Sequence, residues 1–371
     1  THVVSSHPRV EAVRDGGFVV ENKPKRGGAS ARGAWFHLRE VVYGLSIVFL
    51  GVRYRADIAL IDSGTSYWFV FGLFRLFGIQ PIDNFHNAFW PAGFPPRKRS
   101  TRFIHRLDGM YLRWFGRVQI GVSPECQRQA EQLAGKRLKF IQYNAIYLVA
   151  AFEERTNSDS RQRPFRVVFA GRIERNKGVF DVLSMAEKLH AIHPREVIFE
   201  FCGRGSASEE VARERLRRGL ESCVVIHGHL NRPQLLEAYR RSHLVIVPTT
   251  SECGEAFAMV VAEAVLLGRP VLSSPVVPAS EVLAAATVLA RTDDVDDYVA
   301  KIVELMSDTA RYERLCAACE DLRGRFLDPA NGIGEAVGRA IDFLRPGWRL
   351  ASDVRSAGGR ASKGGCGDPV A

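Results

Sequence analysis

Four apolar segments in the second half of the chain each stop at a glycine or a proline. Val167–Ala170 stops at Gly171, Val197–Cys202 at Gly203, Val224–His227 at Gly228 and Leu244–Val247 at Pro248. Helical stretches lie between them, beginning with Val179–His190. Short, uniformly apolar strands alternating with helices make a parallel sheet covered on both faces. Earlier, His2–Ser6, Phe18–Glu21, Asp57–Asp62, Ile79–Phe85, Val118–Val122 and Leu138–Gln142 read as strands. Ser66–Phe77, Thr101–Phe115 and Pro124–Ala134 read as helices. The chain is therefore expected to be an α/β protein, and 371 residues suit two domains of about 100–200 residues each.

The polar, aperiodic Glu153–Arg163 stretch (EERTNSDSRQR) marks the boundary. We read residues 1–150 as the first domain, 151–164 as the linker and 165–330 as the second domain. A helical stretch in 331–350 is able to cross back to the first. Residues 351–371, rich in Gly, Ser and Ala, read as a disordered tail.

Hydrophobic residues make up 46% and charged residues 25%, which argues against a disordered or fibrous chain. The net charge of +10 is unevenly placed. Residues 1–150 hold 21 Lys and Arg against 10 Asp and Glu, and the remainder holds 30 against 31. An anionic partner is thus expected to meet the first domain. The seven cysteines are an odd number in apolar settings, which fits a reducing compartment. Cys316 and Cys319 form a lone CxxC with no second pair or histidine at zinc spacing, so they read as helix packing and no metal site is expected. The longest apolar runs, Val41–Val52 and Tyr67–Ile79, fall short of the ~20 residues that span a bilayer. Neither is expected to be a transmembrane segment.

The chemistry concentrates at the ends of the second-domain strands, where α/β sheets place ligands. After Val167–Ala170 comes Gly171-Arg172-Ile173-Glu174-Arg175-Asn176-Lys177-Gly178. Arg172 as a fork and Lys177 as a point charge suit a diphosphate, although solvated loop charges read the same way. Gly203-Arg204-Gly205 and Gly228-His229-Leu230 end the next two strands. Each is a tight turn or a place where a nucleotide approaches backbone. The segment after Val247 then carries Glu255 and Glu263 around a helix start near Phe257. The free amides of that helix start would favour an anion there. Glu255 is also readable as a helix-start acid. Glu263, among Ala262, Ala264 and Val260, is readable as a buried carboxylate answered by an internal arginine.

In this order, with Gly268-Arg269-Pro270-Val271 after them, these motifs resemble the donor domain of the retaining glycosyltransferases of family 4. The match runs over about Val167–Glu281. The resemblance implies the GT-B fold, two Rossmann-like domains facing each other across a cleft. It implies transfer of a sugar, of hexosyl type, from a nucleotide donor with retention and without a required metal or other cofactor. By motif, Arg172 and Lys177 would neutralise the diphosphate, Glu255 would hold the donor sugar and Glu263 the ribose. Gly171, Gly203, Gly205, Gly228 and Leu230 would line the nucleotide, and amides near Phe257, Ala258 and Met259 would take the distal phosphate. The family usually has glycines around that phenylalanine, where this chain has Ala256 and Ala258. The first domain is expected to lack the family's first strand–loop–helix, as in a fragment or an inactive protein. Alternatives are a catalytically impaired, membrane-associated nucleotide-sugar-binding subunit and a GT-B sugar-nucleotide epimerase.

His86 ends strand Ile79–Phe85, and family members often carry a histidine there facing the donor sugar; a plain surface histidine is the competing reading. Pro95–Arg117 holds Arg97, Lys98, Arg99, Arg102, Arg106, Arg113 and Arg117 against Asp108 alone, with Phe103, Leu107, Met110, Tyr111 and Trp114 at helical spacing. A basic helix with aromatics suits an anionic membrane surface or a lipid-linked acceptor, while the competing reading buries its aromatics. No nucleic-acid module is recognisable. The expected role is a cytoplasmic enzyme at the inner face of the membrane, acting on a glycan or lipid-linked acceptor in cell-surface polysaccharide or glycolipid synthesis.

Overall fold

The computed structural model describes residues 2–5, 13–15, 18–23, 25, 33–153 and 159–346. The tail expected over 351–371, Cys366 and part of the linker lie outside these residues. Strands β1 (His2–Ser5), β2 (Val13–Asp15) and β3 (Phe18–Asn22) form a small sheet with β3 central. Helix α1 (Ala34–Arg53) follows. A four-stranded parallel sheet then runs β4 (Ile58–Asp62), β5 (Gln80–Phe85), β6 (Val118–Gly121) and β7 (Phe140–Gln142), with α2 (Arg99–Trp114) and α3 (Pro124–Ala134) between strands.

Two elements depart from expectation. Residues Trp68–Phe77 form a 3₁₀ run rather than an α-helix. Trp68, Phe71 and Phe74 are all buried, and their three-residue spacing matches the three-per-turn geometry of that helix. The apolar run at Val41–Val52 belongs to a longer helix than its length suggested. Arg39 and Glu40 interrupt the run, but α1 begins at Ala34 and takes in Trp35, Phe36 and Leu38. By length and composition Trp35–Arg53 is long and apolar enough to cross a membrane, with mean hydropathy 1.3, and little of it is buried.

The second domain contains β8 (Phe165–Ala170), α4 (Val179–Ile192), β9 (Val197–Cys202), α5 (Ser208–Arg217), β10 (Val224–Gly228), α6 (Arg232–Arg241), β11 (Leu244–Val247), α7 (Met259–Leu266), β12 (Val271–Ser273), α8 (Ala279–Val282) and β13 (Thr287–Leu289). All six strands are parallel in the order β10–β9–β8–β11–β12–β13. The order reverses between β8 and β11, which opens a crevice at their carboxyl ends. Apolar clusters fill both faces of the sheet, Val182, Phe199 and Leu244 on one side and Val245, Val261 and Val265 on the other.

Helices α9 (Val295–Ser307), α10 (Thr309–Leu322) and α11 (Gly324–Leu327) complete this domain, with Cys319 of α10 buried in its core. Helix α12 (Ile333–Leu344) packs Ala336, Ala340 and Ile341 onto Ile82, Val118 and Ile120 of the first domain. Its end is tied by Arg345 to Asp57 at 2.7 Å.

Asp108 of α2 is buried and accepts the Phe69 amide at 3.0 Å, fixing the 3₁₀ run to α2. Burial raises its carboxyl to about 7. The folded state then holds one more proton than the unfolded chain from about pH 4 to about pH 7, so this group's contribution to stability is present at low pH and is lost across that window. Asp108→Asn keeps the amide's acceptor, so its stability relative to the parent should rise by at least about 1 kcal/mol between pH 4.5 and pH 7.5. Urea unfolding of both proteins reads this, and a pH-independent difference contradicts it. Ala258, which caps α7, sits at φ 74° and ψ 88°, a conformation that costs an L-residue about 1–2 kcal/mol. Ala258→Gly should therefore stabilise the fold by about 0.5–1 kcal/mol. A loss of that size in the same assay would show the backbone there to be unstrained.

Candidate functional site

The site is built where β8, β9, β10 and β11 end. Backbone bonds lock these ends together: Gly171 N–H donates to Cys202 O at 3.0 Å and Gly203 N–H to Gly228 O at 2.7 Å. A Cβ on Gly203 would stand 1.8 Å from Gly171 O, and one on Gly178 2.1 Å from Pro248 O, both at positive φ. These two motif glycines thus have a packing reason in addition to ligand access. The 171–178 loop is stitched to the loop after β11 by Thr250, whose amide and hydroxyl both donate to Asn176 O at 3.1 Å.

That stitching brings Lys177 onto Glu255. The two form an ion pair, each mostly buried, and Thr249 Oγ1 donates to the same carboxylate oxygen at 3.2 Å. Arg172 is exposed beside them, with Nη1 2.9 Å from Glu174. Burial pushes the neighbouring Cys253 thiol up, while the Lys177 and Arg172 charges pull against it. The crevice therefore collects two cations, Lys177 and Arg172, each with a carboxylate of its own, Glu255 and Glu174.

Helix α7 begins at the same loop. The Val261 amide of its first turn donates to Ala258 O at 3.1 Å, the amides before it have no i−4 carbonyl to donate to, and Ala258 supplies no side-chain cap. Phe257 turns its ring into the core against Phe326, with centroids 6.0 Å apart, so only its backbone is free to meet a ligand. Met259 is exposed. Two turns along, Glu263 pairs with Arg232 at 2.5 Å and accepts from Tyr239 at 3.3 Å. The buried Tyr147 hydroxyl beside this cluster has no hydrogen-bond partner among the described residues. Burial and the Glu263 carboxylate push both phenols up, leaving them neutral donors. Arg232 opens α6, two residues after Leu230, and it is the arginine that answers Glu263.

The structure thus brings Gly171, Arg172, Lys177, Gly203, Gly205, Gly228, Leu230, Glu255, Phe257, Ala258 and Met259 to one end of the sheet, with Glu263 beside them. His86 and the basic stretch belong to the other domain. His86 is exposed, follows β5 and lies 3.9 Å from Asp62. Its segment continues to Ala88–Pro91, whose backbone faces Gly254: a Cβ there would lie 3.6 Å from Trp90 C. Ala256 is buried against the first-domain cluster that holds Phe85, and Arg128 forks onto Glu281 at 2.5 and 2.9 Å. The loop bearing Glu255 is accordingly pressed against the first domain. Arg97, Lys98, Arg99, Arg102, Arg106, Arg113 and Trp114 are exposed before or on α2.

Sequence reasoning missed Thr249, Tyr147, Tyr239 and Arg232. A threonine after a strand and an arginine opening a helix carry no pattern of their own, and the two tyrosines read as core. Only the position of Arg232 just past Gly228-His229-Leu230 hinted at a role.

Residues 151–320 match the family model described as "Glycosyl transferases group 1". Among curated proteins, the chain is 25% identical over 114 residues to glycogen synthase of Mycobacterium tuberculosis, covering 31% of this chain and 27% of that protein. It is 28% identical over 189 residues to D-inositol 3-phosphate glycosyltransferase of Xylanimonas cellulosilytica, covering 47% and 41%. The chain thus spans less than half the length of the curated relatives it matches. Among solved structures, it resembles Anabaena Alr3699/HepE in complex with UDP, with TM-score 0.64 and 18% identity over 81% of this chain and 82% of that one. It also resembles sucrose-phosphate synthase of Thermosynechococcus elongatus, with TM-score 0.69 and 14% identity over 92% and 88%. The chain therefore has the GT-B fold, and its residues 151–320 are similar to the glycosyl transferases group 1 family.

Proposed function

We propose that this protein is a retaining glycosyltransferase that moves a hexosyl group from a nucleoside-diphosphate sugar to a glycan or lipid-linked acceptor. The observation that carries the reading is the Lys177–Glu255 pair at the mouth of β8 and β11, with Arg172 and the uncapped start of α7 around it. The curated relatives' sugar-transferring names and the UDP bound by HepE support it.

In this reading the diphosphate lies across Lys177, Arg172 and the amides of Phe257, Ala258 and Met259. Glu255 accepts hydrogen bonds from the sugar hydroxyls. Glu263 accepts those of the ribose, with Arg232 holding the carboxylate in place. His86 approaches the sugar from the first domain. The bond between the anomeric carbon and the phosphate oxygen breaks, and the acceptor oxygen bonds to that carbon from the same face. Its proton passes to the departing phosphate. Catalysis is then mainly stabilisation of the leaving diphosphate and placement of the acceptor, and it asks for no metal or other cofactor. The basic first domain directs the enzyme to the cytoplasmic face of an anionic membrane, in the making of surface polysaccharide or glycolipid.

Lys177→Ala should lower transfer from a labelled nucleotide sugar at least about 100-fold while the variant still folds by circular dichroism, with a lower melting temperature because Glu255 loses its partner. Near-normal transfer by the folded variant refutes the assignment.

A further inference from the structure

Helix α2 and the end of α3 flank an open surface groove of about 420 Å³ that no part of the donor site uses. The volume lies within the ~300–1,000 Å³ range of small-ligand sites. Its lining includes Arg102, Arg106 and Arg113, the apolar surfaces of Trp90 and Met110, and no Asp or Glu. Arg113 donates to Ala134 O at 3.4 Å, which holds its guanidinium at the groove. Arg99, Arg102 and Arg106 have no acidic partner among the described residues. By contrast, Arg166, Arg217 and Arg218 of the second domain each have one. Three guanidinium groups gathered without a counter-charge repel one another, and an anion between them relieves that repulsion.

The same helix shows what the anion is attached to. At about 100° per residue, Arg99, Arg102, Arg106 and Arg113 fall within about 60° of one another, and Met110, Phe103 and Trp114 occupy the next strip. That strip is not buried: Phe103 is 62%, Met110 51% and Trp114 70% exposed. Tyr111 and Leu112 already supply the core face, so Phe103 and Met110 are spare, and the Trp114 ring carries the Arg113 guanidinium 5.4 Å from its centroid. A cationic band beside an exposed apolar band is complementary to a phosphate carried on a hydrocarbon chain. The groove also adjoins the cleft, because Trp90 lines it while the Trp90 backbone packs against Gly254, next to Glu255.

We propose that the α2–α3 groove binds the phosphate of an amphiphilic acceptor. Arg102, Arg106 and Arg113 take the phosphate oxygens, and the chain lies over Met110, Phe103 and Trp114. That this ligand is the acceptor rests on the transferase reading above; that the groove binds it does not.

The test is a tryptophan-fluorescence titration of the full chain, read through Trp90 and Trp114, with a water-soluble alkyl phosphate below its micelle concentration. Inorganic phosphate and the uncharged alcohol of the same chain length are titrated alongside. The alkyl phosphate should bind at least tenfold tighter than either. The double variant Arg102→Gln/Arg106→Gln, folded by circular dichroism, should lose at least tenfold in that affinity and keep its affinity for UDP. Equal binding of inorganic phosphate or of the alcohol overturns the proposal, and so does an unaffected double variant. Adsorption to anionic phosphatidylglycerol vesicles without binding of the single alkyl phosphate also overturns it, assigning the face to the membrane at large. A protein that binds the alkyl phosphate but no UDP keeps the groove and loses the transferase reading.

Discussion

The arrangement depends on the adjacency of β8 and β11. These strands are separated by some 75 residues of chain, yet they pair in parallel through Leu244–Val167 and Val245–Val168. Because the strand order reverses there, the loops after them diverge to opposite faces and leave a crevice. Thr250 and Pro248 close against Asn176 and Gly178, and Lys177 is thereby pinned against Glu255. A cation and an anion held mostly buried and face to face at a crevice are costly to desolvate unless each has its partner. A polyanionic ligand with a polyol attached offers each of them a second one.

The two halves of the molecule handle charge differently. In the second domain the buried and half-buried carboxylates are answered: Glu200 by Arg166 and His227, Glu214 by Arg217 and Arg218, Glu263 by Arg232. In the first domain the carboxylates that might have balanced α2 are turned inward. Asp108 caps the 3₁₀ run, and Asp83 sits under the Tyr111 hydroxyl at 2.5 Å and Gln119 at 3.2 Å. Burial raises Asp83 to about 6, so it adds little negative charge below that pH. The basic residues of α2 are left facing solvent. The excess positive charge of the sequence thereby becomes a local surface property.

Much of this was legible from the chain, for physical reasons that differ by feature. The second-domain strands announce themselves because parallel strands buried on both faces are continuously apolar, and one of their glycine ends, Gly203, is dictated by tight backbone packing on Gly171. Arg172, Lys177 and Glu255 stand out as charges in loops after strands, and Glu263 as a carboxylate among apolar helix residues. Their pairing was not legible, since Lys177 and Glu255 are 78 residues apart and nothing local links Glu263 to Arg232. Helix α1 was underread because Arg39 and Glu40 interrupt an apolar run that the helix simply turns past. The aromatics of α2 fit a buried or an exposed face equally well by spacing. Only the structure divides them, Tyr111 to the core and Phe103 and Trp114 to the surface.

The central claim is that the β8–β11 crevice is a nucleoside-diphosphate site. Calorimetric titration of the full chain with UDP and with UMP tests it directly. Lys177, Arg172 and the first turn of α7 are placed to act on the phosphates, so UDP should bind at least tenfold tighter than UMP, a difference of about 1.4 kcal/mol. Equal affinities, or no binding of either, would contradict the account.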